Sequence, residues 1–202
     1  MQRVGLTGGI ACGKSVVARF FAEKGIPVVN DDLAARDAVG AGTPGLAAVL
    51  REFGDVLGPD GELDRPRLGR LVFGDDAKRR RLMQITFPFI GELLRQRFRA
   101  AEEVGSAMIV YESALLIENG GADSWRPLVV VRATSDQQLA RLRERNGLDA
   151  DDARRRIEAQ MPVDEKAAVA NYVIDNTGTI ADARRQFGAI FAALERSARA
   201  SG

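Results

Sequence analysis

Histidine is missing altogether from the 202 residues. A catalytic base must therefore be a carboxylate or another group, and histidine-dependent triads are excluded. There is a single cysteine, Cys12, so no internal disulfide can form, and a reducing, cytoplasmic setting is compatible. No run is long and apolar enough to span a bilayer, and the amino terminus has no signal-peptide pattern, so no membrane association is expected. Charge of one sign is lacking too: the net charge of +1 gives no bulk attraction to nucleic acid or acidic lipid. Apolar content of 46% and charged content of 28% are those of an ordinary globular chain, and the length suits one domain with elaborations. There are no internal repeats, linkers or low-complexity tracts.

What is present begins with Gly8-Gly9-Ile10-Ala11-Cys12-Gly13-Lys14-Ser15. It fits the phosphate-loop pattern of Gly, four residues, Gly, Lys and Ser or Thr. The apolar Val4-Gly5-Leu6 before it reads as a strand. Val16, Val17, Phe20 and Phe21 after it recur at helical spacing, with Gly25 as a stop. Strand, glycine loop, helix is the context in which backbone N–H groups converge on phosphate oxygens, aided by the helix dipole. Lys14 would then reach the β- and γ-phosphates, and the Ser15 hydroxyl would ligate Mg²⁺. The pattern implies a bound nucleoside triphosphate. A thiol among converging N–H groups beside Lys14 is expected to have a lowered pKa and raised reactivity, against the alternative of an inert packed cysteine.

Further strands are expected at 26–30, 107–111, 128–131 and 172–175. The runs Ala107–Tyr111 and Leu128–Val131 are unbroken apolar stretches, as in parallel strands covered on both faces. Between Asp31 and Val104 the pattern is helical, with turn signals at Gly40–Pro44 and Gly58–Gly61 and a kink expected at Pro88. Helices are also expected from Ser135 to Arg145, Ala150 to Met161 and Thr179 to Ala198. The expected fold is α/β: a five-stranded parallel sheet flanked by helices in three layers, with a helical insertion. The core takes about 1–31 and 105–202, and the insertion about 32–104.

Asp31 and Asp32 stand where the second strand should end, where a carboxylate can accept a hydroxyl proton or hold a water of the magnesium shell; helix capping is the other reading. Glu112 follows the third strand, where an acidic residue can hold the metal through water; a simple solvated strand end is the other reading. Arg141 and Arg145 lie a helical turn apart and suit the charge spreading over a migrating phosphoryl group, although arginine-rich helix faces are usually just solvated. The chain lacks the Asn-Lys-x-Asp guanine pattern and the protein-kinase motifs. A small-molecule kinase is the expectation, and the residues alone do not name the acceptor.

A set of landmarks runs along nearly the whole chain: Leu6-Thr7-Gly8-Gly9-Ile10, Gly13-Lys14-Ser15, Asp32 with Ala35-Arg36, Phe53-Gly54, Asp60-Gly61, Leu63-Asp64-Arg65, Leu68, Val72-Phe73 and Pro88. It continues in Leu115-Leu116 with Glu118, Arg141 with Arg145, Ala159-Gln160 and Val173-Ile174-Asp175-Asn176. With these landmarks the chain resembles the dephospho-coenzyme A kinase family. The resemblance implies ATP-dependent phosphorylation of the ribose 3′-hydroxyl of dephospho-coenzyme A, with Mg²⁺, and a nucleoside-monophosphate-kinase fold whose lid spans about 135–163. No obligate protein partner is evident from the sequence. By resemblance, Asp32 is the base, with Lys14 and Arg141 beside it as catalytic groups. ATP falls to Ala11, Cys12, Gly13, Lys14, Ser15, Val16, Arg145 and Asn176, the last near the adenine. The acceptor falls to Asp32, Arg36, Arg65, Phe87 and Glu118. Four positions depart from the family pattern: Ala11-Cys12 replaces Gly-Ser, Phe87 a histidine before Pro88, and Ala114 a proline. Two other functions remain open: a kinase of this architecture acting on a nucleotide, shikimate or gluconate, and an ATP-binding regulator without turnover.

Overall fold

In a computed structural model that describes residues 1–200, five parallel strands stand in the order β2-β3-β1-β4-β5. They are β1 (Gln2–Gly8), β2 (Val28–Asn30), β3 (Met108–Glu112), β4 (Leu128–Arg132) and β5 (Tyr172–Asp175). The helices in chain order are α1 (Lys14–Glu23), α2 (Asp31–Asp37), α3 (Pro44–Phe53), α4 (Arg65–Val72), α5 (Asp76–Glu103), α6 (Ser135–Asn146), α7 (Ala150–Glu158), α8 (Val163–Ala168) and α9 (Ile180–Ala200). The chain divides into two compact units, one made of 1–30 with 101–202 and the other of 31–100.

In the first unit, β4 explains why its sequence is apolar throughout. Successive side chains of a strand point to opposite faces. Val129 and Val131 join Val4, Leu6, Phe20, Phe21, Phe187 and Leu194 in one core cluster. Leu128 and Val130 join Leu116 in another, against which Trp125, Ala167 and Ala170 pack. The strand is thus covered on one face by α1 and α9, and on the other by α8 and the segment after β3. Rings of Phe20, Phe21, Phe187 and Phe191 meet at 4.9–6.2 Å between centroids, which locks α9 onto α1.

The second unit is helical, with Val39, Val49, Val56 and Leu68 at its core. Its helix starts follow local chemistry. The Thr43 hydroxyl caps α3 by accepting from the Leu46 N–H, and Asp64 caps α4 by accepting from Arg67, each with proline in the first turn.

One expectation is corrected here. The helix expected from Ala150 to Met161 ends at Glu158, and a separate helix, α8, follows Pro162. Proline cannot donate an N–H to the preceding turn, so the chain breaks and restarts there. Among the described residues no helix is long and apolar enough to cross a membrane.

Candidate active site

The phosphate loop leaves the carboxyl end of β1 and turns into α1, and its backbone can be followed group by group. Every carbonyl from Gly8 to Gly13 is taken. The Lys14 ammonium donates to the oxygens of Gly8 and Gly9 at 3.2 and 3.1 Å. Gln138 Nε2 donates to Ile10 O at 2.8 Å, Arg141 Nη1 to Ala11 O at 3.3 Å, and Asn176 Nδ2 to Cys12 O at 2.8 Å. The Val16 N–H closes on Gly13 O at 3.0 Å. The donors divide. Those of Ile10, Cys12 and Val16 close on Gln160 Oε1, Gly9 O and Gly13 O, whereas among the described residues the N–H groups of Ala11, Gly13 and Ser15 have no partner and no side chain caps α1. A loop whose acceptors are tied back and whose remaining donors are open is a cradle for an anion at a helix N-terminus.

Glycine is required where the tie-backs crowd the chain. A Cβ on Gly13, at φ 94°, would sit 2.2 Å from Asn176 Nδ2, and one on Gly8 would sit 2.2 Å from Val131 O. Among the described residues, Ala11 is the one non-glycine at positive φ, 58°. A left-handed alanine carries a steric cost of about 1–2 kcal/mol that glycine avoids. Ala11→Gly is therefore expected to raise the melting temperature by about 2–4 °C; an unchanged or lower value in a thermal scan would contradict this.

Of the two readings of Cys12, the structure supports the packed, inert cysteine. Its side chain is fully buried in the core under the loop rather than presented to solvent. Burial pushes the thiol pKa up, against the opposing pulls of Lys14, N–H groups of Ala133 and Gly9, and Arg141. The neutral thiol is thus the form favoured by folding, and stability falls as pH rises through the thiol's range. Native protein at pH 8 is expected to react with iodoacetamide far more slowly than protein in denaturant, and ATP should not change that rate. Rapid stoichiometric labelling of the folded protein would contradict the burial.

The other expected residues fall into groups. Arg141 joins the loop: besides Ala11 O it donates to Asn176 O at 3.1 Å. Asn176 is buried and spent on bracing the loop. Arg145 is exposed, and its Nε donates to Asn146 Oδ1 at 2.9 Å. Glu112 ends β3 in register with Leu6 and Asn30, and accepts from Asn30 Nδ2 at 2.6 Å. Ser15 is exposed, and its hydroxyl has no protein partner. Glu118 Oε1 accepts from Lys166 at 2.7 Å and from the Met161 N–H at 3.1 Å.

In the second unit, Asp32 lies in the first turn of α2, two residues beyond Asn30 in the chain. Arg65 donates to the carbonyl of Arg36 at 3.1 Å, and burial and the neighbouring Arg36 charge lower its pKa. Phe87 lies on α5 just before Pro88 and is 56% exposed.

Residues that carry much of this geometry drew no role from the sequence: Gln138, Gln160, whose Oε1 accepts from the Ile10 N–H at 2.7 Å, and Lys166. Gln138 had a readable signal, one position after the Thr134/Gln137 capping box that starts α6 and so fixes the helix's phase.

The model of the family described as dephospho-CoA kinase matches residues 2–182. The chain belongs to the dephospho-CoA kinase family. A dephospho-CoA kinase of Geobacter metallireducens is 45% identical over 95% of this chain and 96% of its own length. One of Arabidopsis thaliana is 43% identical over 97% and 85%. A solved structure from Thermus thermophilus superposes with a TM-score of 0.80 at 30% identity, covering 96% of this chain and 99% of its own. Family membership therefore extends over the sheet, the phosphate loop and the helical unit together.

Proposed function

We propose that this protein transfers the γ-phosphoryl group of ATP to the ribose 3′-hydroxyl of dephospho-coenzyme A, giving coenzyme A and ADP. The observation that carries the reading is the loop of tied carbonyls and open N–H groups, in a chain whose family is that of the dephospho-CoA kinases.

In this reading the N–H groups of Ala11, Gly13 and Ser15 hold the phosphate chain, with Cys12, Lys14 and Val16 lining it. Lys14 turns its ammonium from the loop carbonyls toward the β- and γ-phosphates, and Arg141 adds a second cation at the loop. Asp32 accepts the proton of the attacking 3′-hydroxyl, with Arg36, Arg65, Phe87 and the second carboxyl oxygen of Glu118 toward the acceptor. Asn176 and Arg145 complete the nucleotide side. The protein contributes positioning and charge neutralisation rather than a covalent intermediate.

The residues fit magnesium. This ion keeps most of its waters and takes one or two protein oxygens plus phosphate. Ser15 would offer its exposed hydroxyl and Glu112, at the end of β3, would act through water; no group of three or more ligating side chains occurs among the described residues. When bound, the ion would neutralise phosphate charge. A cytoplasmic setting belongs to the same proposal.

The test is an acceptor panel. With ATP and Mg²⁺, dephospho-coenzyme A should be phosphorylated with a kcat/KM at least about a hundredfold above that of a nucleoside monophosphate, shikimate or gluconate. Preference for another acceptor would replace the proposed substrate, and ATP binding without turnover on any would leave a regulator.

A further inference from the structure

Lys166 has no exposed surface at all, a state that lysine almost never reaches unless paired. Its ammonium donates to Glu118 Oε1 and to Ala114 O, each at 2.7 Å. Both partners lie in the segment that follows β3. Glu118 Oε1 also accepts from the Met161 N–H, in the turn between α7 and α8. Ala114 O also accepts from the Thr7 hydroxyl, one residue before the phosphate loop. The residue preceding Met161 is Gln160, which holds the Ile10 N–H of that loop at 2.7 Å. A chain of short polar contacts thus runs from a buried cation to the loop without the cation touching the loop itself.

Stability alone does not account for this lysine. Burying its ammonium costs several kcal/mol although Glu118 keeps part of its side chain in solvent, and an apolar residue of similar volume often serves as well or better. What a lysine and a glutamate provide and a hydrocarbon does not is a fixed position for the Met161 N–H and the turn attached to it.

We propose that Lys166 is a positioning residue for nucleotide binding: through Glu118 it sets the Gln160–Met161 turn, so that Gln160 restrains Ile10 and holds the phosphate loop open for ATP. This rests on the kinase reading above only in taking ATP as the ligand. A loop held in its binding conformation beforehand saves the ordering cost on association.

The experiment measures the Kd for ATP with Mg²⁺ by calorimetry, alongside the melting temperature. Variants are Lys166→Met, Gln160→Leu and the two combined. Each single variant should weaken ATP about five- to tenfold, the scale of one positioning hydrogen bond. The combination should be no worse than the weaker single variant. A purely structural lysine would lower the melting temperature and leave ATP affinity alone, or give losses that multiply with those of Gln160→Leu; either result overturns the proposal. Should Lys166→Met fail to fold, Lys166→Met with Glu118→Leu removes both charges together, and the same weakening is expected of it. Wild-type affinity in that folded variant would overturn the proposal equally. Because ATP affinity is read without an acceptor, failure to phosphorylate dephospho-coenzyme A would count against the proposed function and not against Lys166.

Discussion

Lys14→Ala is expected to lower kcat by about a hundred- to a thousandfold, the scale of removing one charge-stabilising group from a transition state. Two losses combine. The migrating phosphoryl group loses a cation, and the oxygens of Gly8 and Gly9 lose the ammonium that holds them back from the loop's interior. Free carbonyls facing a triphosphate repel it, so the KM for ATP should rise as well. Lys14→Met separates the effects poorly, because it also abandons both carbonyls. Lys14→Arg keeps the charge but not the compact geometry, and should recover only part of the rate. Steady-state kinetics with ATP varied at saturating acceptor would check this. A kcat within about threefold of wild type for Lys14→Ala would remove the lysine from the chemistry.

Asp32→Asn should act on the chemical step and little else. General-base assistance contributes about a hundred- to ten-thousandfold, and asparagine keeps the shape while losing the ability to take a proton. The Kd for ATP should stay within about twofold of wild type, since no open N–H of the loop belongs to Asp32. Single-turnover measurements with labelled ATP would isolate the step. Wild-type turnover by this variant would pass the base to another group. The neighbouring Asp31→Asn is the control: a loss confined to it would point to the wrong aspartate of the pair.

The sheet was readable because burial on both faces leaves a composition that no solvent-facing strand has. Leu128–Val131 is apolar at four consecutive positions, and the structure places alternate members of the run in two different cores. The loop was readable because glycine spacing is a demand of backbone geometry: Gly8 and Gly13 stand where a Cβ would strike Val131 O or Asn176 Nδ2. Helix α8 was not readable, since six residues are too few to establish a period.

The braces behind the loop were hidden for another reason. Gln138, Gln160 and Asn176 reach partners 128, 150 and 164 residues away, and nothing local marks a glutamine or asparagine as bound to a distant backbone. Resemblance set Asn176 near the adenine, and nothing in the sequence signalled that its side-chain amide also supports the Cys12 carbonyl. Cys12 was misleading in a different way. Its place in the motif suggested a thiol bathed in N–H dipoles, but its side chain turns inward, and desolvation outweighs those dipoles.

The central claim is that the loop's outward donors grip ATP while a ribose hydroxyl takes its terminal phosphoryl group. Phosphorus NMR of a mixture of purified protein, ATP, Mg²⁺ and dephospho-coenzyme A tests it most directly. The account predicts a new phosphomonoester resonance on the ribose 3′-oxygen, growing in step with ADP. Release of inorganic phosphate alone, or a phosphoryl group on any other oxygen of the acceptor, would contradict it.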